Sequence, residues 1–229
     1  KGNHSTWITT WYSPTERGRN APLTEEVFAI KGNGYNPYWG IDQGKLRNAR
    51  VSRTEIPHFF LNHELYISEK TSLLISASYK NGEQGSSRLL YTGVRPLDDV
   101  FIGGGRNPDP VYYQNLPSYF LRDPTILNRS GAYIAEKALE NDGQIDWESL
   151  RQANQSIPDG SARYALYEDA KQEVGIAGAI RLFFDPRPGE FWNTVLSMNQ
   201  SEANYFAQPT DLLGAKHLWD IDPYAQTSL

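Results

Sequence analysis

The chain has 229 residues, no cysteine and a formal net charge of −5. The missing cysteines exclude disulfide frameworks and cysteine-based metal sites, and the mildly acidic, mixed-sign composition offers no basic footprint for nucleic acid. Mean hydropathy is −0.59, and no apolar run approaches the ~18 residues that a transmembrane helix needs, but a transmembrane barrel stays open because its strands are apolar on one face only.

The chain opens at Lys1-Gly2-Asn3-His4 with no initiator Met, signal peptide or lipidation site, and Tyr224–Leu229 stops without a capping element. The expectation is an internal fragment of a larger protein. Ser5–Tyr12 then alternates, with Trp7, Thr9 and Trp11 against Ile8, Thr10 and Tyr12, which predicts a strand. Thr24 is a capping residue before Glu25, Glu26 and an apolar run to Ile30, so a short helix is expected there.

Two blocks built alike follow. Arg50–Ile67 and Thr71–Tyr91 flank Ser68-Glu69-Lys70, and Tyr164–Phe184 and Phe191–Asn204 flank Asp185–Gly189. Within them Phe59, Leu61 and Leu65, then Leu73, Ile75 and Tyr79, then Val174, Ile176, Ile180 and Leu182, then Trp192, Leu196 and Met198 make apolar rows. Their neighbours are mostly polar or small, as period-two alternation requires of a sheet with two unlike faces.

Between the hairpins lies an irregular Gly, Pro, Asn and Tyr-rich stretch of roughly 70 residues, longer than a compact soluble domain ordinarily carries as loop. Inside it, Ser130–Asn141 and Asp146–Gln155 show helical spacing, the second with Asp146 as N-cap. Strands of about 15–20 residues, short turns at one end and long loops at the other fit an outer-membrane barrel. Aromatics near strand ends (Trp7, Trp11, Tyr66, Tyr91, Tyr164, Tyr167, Phe184 and Trp192) are expected to form its interfacial girdle. A water-soluble β-sandwich with one face on a core would show the same alternation.

Three segments carry a family resemblance: Tyr35–Val51 (YNPYWGIDQGKLRNARV), Arg106–Tyr119 (RNPDPVYYQNLPSY) and Ser201–Asp222 with its Asp211-Leu212-Leu213-Gly214 and Asp220-Ile221-Asp222-Pro223. In these the chain resembles the large TonB-dependent outer-membrane receptors of Gram-negative bacteria, in the class with long aromatic-rich extracellular loops. The resemblance covers residues 1–229 as part of one barrel domain. It implies an all-β fold, an antiparallel transmembrane barrel fragment of about five long strands within a barrel of about 22, with extracellular loops carrying short helices.

It also implies uptake of an unknown ligand too large for porins, energised by the TonB complex through a plug that this sequence does not contain, with outer-membrane lipid as surroundings. Residues 13–49, 92–163 and 205–229 would then be extracellular and the short turns periplasmic. Loop residues able to grip a polar ligand by stacking and hydrogen bonds are Tyr38, Trp39, Arg106, Asp109, Tyr112, Tyr113 and Tyr119. The competing expectations are a secreted soluble β-sandwich that binds glycans and a secreted β-rich enzyme.

Motifs for other chemistry are weak. Glu140–Asp146 resembles the middle of a calcium loop, but with Gly143 as its glycine the outer ligand positions fall on Ala138 and Ser149, neither of which offers a carboxylate. Gly103-Gly104-Gly105-Arg106 lacks the Lys-Ser/Thr of a phosphate loop. His58 and His63, five apart on one strand, point to opposite faces. No nucleophile elbow or zinc-hydrolase motif is present, so no catalytic residue, cofactor or metal site is expected.

Overall fold

The computed structural model describes residues 3–92, 95–97 and 100–219. Its elements are β1 (His4–Trp11), β2 (Thr15–Gly18), α1 (Glu25–Lys31), β3 (Trp39–Asp42), β4 (Lys45–Asn48), β5 (Val51–Glu55), β6 (His58–Ser68), β7 (Thr71–Leu90), β8 (Arg95–Leu97), β9 (Val100–Ile102), α2 (Pro117–Phe120), α3 (Arg129–Asn141), α4 (Trp147–Gln155), β10 (Ala165–Arg187) and β11 (Glu190–Asp211). Of the described residues half are strand and 17% are helix, so the fold is mostly antiparallel sheet with helices set in the connections. The segment Asp220-Ile221-Asp222-Pro223 lies outside the described residues.

The main sheet runs β1-β6-β7-β10-β11, an up-and-down order in which the long strands follow one another as expected. β2 and β5 join it to the side, and β3–β4 and β8–β9 are separate two-stranded sheets. Among the described residues β1 and β11 have one partner strand each, so these strands do not close into a barrel.

Arg50–Ile67, expected as one strand, is two. The break falls at Ile56-Pro57, because proline has no N–H to give the ladder. The second hairpin is tighter than expected: β10 runs to Arg187, leaving Pro188-Gly189 as the turn, with Gly189 at φ 85°, where glycine is unstrained.

The chain divides into two compact units. The first holds residues up to Glu16, Ser52–Gly85 and Asp169–Phe206. Here the register pairs Ile8 with Leu61, Phe59 with Tyr79, His63 with Ile75 and Leu65 with Leu73. All of these share one face.

The opposite face carries His58, Phe60 and Asn62 against Lys80, Ser78 and Ser76. Lys80 pairs with Glu173, which also bonds Lys171 at 2.8 Å, and this sets 173, 175, 177 and 179 on the polar face. Val174, Ile176, Ile180 and Leu182 therefore join the apolar one.

That apolar face is uncovered. Phe59, Leu61, Ile75, Tyr79, Ile176 and Ile180 are exposed, and Leu196 and Met198 are each 73% exposed. In this unit Ala170 is the one apolar side chain in the buried core among the described residues.

The aromatic girdle needs correction. Trp7 faces Asn62, Trp11 faces His58 and Tyr66 faces Ser72 across their strand pairs, which places all three on the polar side. Tyr164 and Tyr167 are buried, and Tyr91 packs on the core around Trp147. Phe184 and Trp192 alone keep the parity of the apolar rows. His58 and His63 do point to opposite faces, His63 Nδ1 lying 2.7 Å from Thr6 Oγ1.

The second unit, Arg17–Val51, Ser86–Glu168 and from Ala207 onward, holds two buried clusters. One centres on Trp147 with Ala49, Ile145, Leu150, Tyr164, Leu166 and Leu213, and the other joins Val27, Tyr35, Leu116 and Leu139.

Three helices, α1, α3 and α4, form where expected, and the short α2 adds to them. Thr24 Oγ1 accepts from Val27 N at 3.4 Å, and Asp146 Oδ1 accepts from Ser149 N at 2.9 Å, each satisfying an orphan N–H of a first turn. Between α3 and α4, Gly143 turns the chain at φ 57°, the helix-linker-helix arrangement in place of a calcium loop.

Candidate ligand-binding surface

The loop residues singled out from sequence all belong to the second unit, five of them half-buried and two, Arg106 and Tyr113, exposed. Tyr38 packs on the Trp147 core, with the Arg50 guanidinium 5.4 Å above its ring. Trp39 opens the β3–β4 hairpin, and its carbonyl accepts from Ile145 N at 3.0 Å. Gln43 and Gly44 turn that hairpin with φ of 50° and 79°, as a two-residue connection with both central residues at positive φ requires. A β-carbon on Gly40 would sit 2.0 Å from the Ile145 carbonyl oxygen, so only glycine lets the two segments meet.

Four charged groups brace the same hairpin. Arg151 Nη2 donates to Asp42 Oδ2 at 2.9 Å, while Arg47 Nη1 bonds Asp42 Oδ2 at 2.5 Å and Asp211 Oδ2 at 2.8 Å. Arg47 also lies 4.6 Å over the Trp147 ring, a cation-π contact. Asp42 is only 8% exposed, yet the Arg151 hydrogen bond, helped by Arg47, holds its carboxyl below the usual range against the opposing effect of burial.

Asp109 sits in the turn after Arg106, where its Oδ1 accepts from Val111 N at 3.0 Å. Burial pushes its carboxyl above the usual range, with the Val111 N–H and the Arg50 charge opposing. Tyr35, also buried, has its phenol raised by burial and then by the Asp109 charge, and its hydroxyl donates to the Gly143 carbonyl. Tyr38, Trp39 and Asp109 are thus tied into the fold and half-buried.

Of the remaining four, Arg106 and Tyr113 are exposed and Tyr112 and Tyr119 are half-buried. Tyr112 and Tyr113 meet edge to face at 4.7 Å, and Tyr113 and Tyr119 at 5.5 Å. Arg122 lies 3.6 Å over Tyr119. Tyr113 is 57% exposed, and its hydrogen bond with Tyr112 raises the Tyr112 phenol above its ordinary value.

Arg106 is exposed but placed. Gly105 N donates to Tyr91 O at 2.7 Å and Tyr164 Oη donates to Arg106 O at 3.0 Å, while the guanidinium bonds Asn115 Oδ1. Next to it opens a groove of about 430 Å³, bordered by Phe120 and the Ile134, Ala135 and Ala138 side of α3. This size lies within the range of small-molecule sites.

Asn154, which carries no motif, was not anticipated. Fully buried, its Nδ2 donates to the carbonyls of Tyr164, Leu212 and Leu213, and its Oδ1 accepts from Arg163 N and Tyr164 N. A lone polar residue on the inner side of the predicted helix, flanked by Leu150 and Ile157, was the signal for it.

No family model matches the chain, and neither a curated protein nor a solved structure matches it.

Proposed function

We propose that the chain is part of the wall and loop set of an outer-membrane receptor of the TonB-dependent type, which takes up a ligand too large for porins. The observation that carries this reading is the uncovered apolar face of the long-stranded first unit. Monomeric soluble proteins rarely leave a contiguous apolar patch of more than a few hundred Å² open to water, whereas a barrel strand turns such a face to lipid and a polar face inward.

The polar face fits the inner role. It is lined with small groups, Ser76, Ser78, Ala177, Ala179 and Ser197, along a groove of about 390 Å³. A soluble sandwich would bury the apolar rows against a second sheet, and among the described residues the other two sheets are short hairpins. In this proposal the loops of the second unit select the ligand, and the TonB complex supplies energy through a plug contributed by the rest of the receptor.

These 229 residues contain no cysteine, so each label site is introduced here by a single substitution. Single spin labels at I180C and L196C, on the apolar face, and at A179C and S197C, on the polar face, are placed in the full-length receptor in lipid. The expected result is relaxation of the first pair by oxygen, which concentrates in lipid, and of the second pair by a water-soluble nickel chelate. Strong relaxation of the I180C and L196C labels by the nickel chelate would remove the proposal.

A further inference from the structure

We infer that the groove beside Arg106 binds an anionic amphiphile, a carboxylate with a short aliphatic tail. Its charge pattern is one-sided. Among its lining residues Arg106 is the single charged group and no carboxylate is present, while Phe120, Ile134, Ala135 and Ala138 supply an apolar wall. An acid would neutralise a guanidinium; here an amide oxygen, Asn115 Oδ1, orients it without cancelling its charge.

The orientation is built from below. Asn115 Nδ2 donates to the Asp109 carbonyl at 3.0 Å, and the Arg106 carbonyl is fixed by Tyr164 Oη. A β-carbon at Gly105 would fall 2.3 Å from the Tyr164 ring, so the approach that sets Arg106 depends on glycine. A preset guanidinium pairs with a carboxylate by charge-assisted, often bidentate hydrogen bonds.

The other wall explains the tail. Gly131, Ile134, Ala135 and Ala138 recur on α3 at the spacing of one helix face. A β-carbon at Gly131 would fall 2.6 Å from the Phe120 ring, so Phe120 closes that end, and the small exposed side chain of Ala138 leaves room beyond it for an alkyl chain. Acids that might repel the headgroup are engaged elsewhere: Asp109 by Val111 N, and Glu140 by Lys137.

This concerns the groove itself and does not require the strands to cross a membrane. The test is calorimetric titration of the intact protein, in plain buffer if it dissolves there and otherwise in lipid nanodiscs with empty nanodiscs as the blank, with octanoate, octanol and acetate. Octanoate is expected to bind saturably, octanol more weakly and acetate without measurable heat.

R106Q, folded by the same thermal transition as the parent, should weaken octanoate roughly ten- to hundredfold, the worth of a hydrogen bond to a charged group, and leave octanol unchanged. A138F should block both. Octanoate binding that does not saturate, or that R106Q leaves unchanged, would overturn the inference. Loss of octanol along with octanoate in R106Q would overturn it too, because a general collapse of the groove would then account for both.

Discussion

Asp42 shows how a single carboxylate joins three separated stretches of the chain, since Arg47, Arg151 and Asp211 converge on or around it. Its folded carboxyl sits below the usual range, so its contribution is complete above the unfolded value near ~4 and is lost as pH falls through the lower folded one. Asp42→Asn should cost on the order of 3 kcal/mol at neutral pH, the scale of breaking a buried pair. The gap between parent and D42N, followed by denaturation with tryptophan fluorescence, should stay full down to about pH 4 and narrow below it. A gap that widens on acidification would contradict the assignment. Sequence reading placed neither this network nor the Asn154 hub, because their partners are as far apart as Arg47 and Asp211 or Asn154 and Leu213, and spacing rules see only local neighbours.

The long strands were legible because a period of two, repeated over so many residues, leaves little room for another element. β7 and β10 end within a residue or a few of where alternation placed them, α1 and α4 start on their predicted caps Thr24 and Asp146, and α3 starts one residue before the expected Ser130. The β3–β4 hairpin passed unnoticed although Gln43-Gly44 lies between short alternating runs, and Pro57 was read as part of a continuous strand. The girdle failed for a different reason: nearness to a strand end says nothing about which face a ring takes, and cross-strand register decides that. The apolar rows make a prediction at this scale. Leu182→Arg should cost roughly 2–4 kcal/mol of assembly if the face meets the bilayer midplane, seen as a lower yield of folded receptor in the membrane. Ala177→Arg, on the polar face, should leave that yield near the parent's. Equal yields for the two variants would argue against a lipid-facing row.

Across the whole molecule the two units differ in how they hold together. The second keeps ordinary buried cores around Trp147 and Tyr35, whereas the first exposes on one face the apolar area that a soluble domain would bury. Sheets with unpaired margins and an open apolar side are stable in lipid only as part of a closed wall. The most direct test is to fractionate cells making the full-length parent and run the outer-membrane fraction on a gel with and without boiling. A closed membrane barrel should be found in that fraction and change mobility on heating; recovery in the soluble fraction with unchanged mobility would contradict the receptor account and favour the soluble β-sandwich.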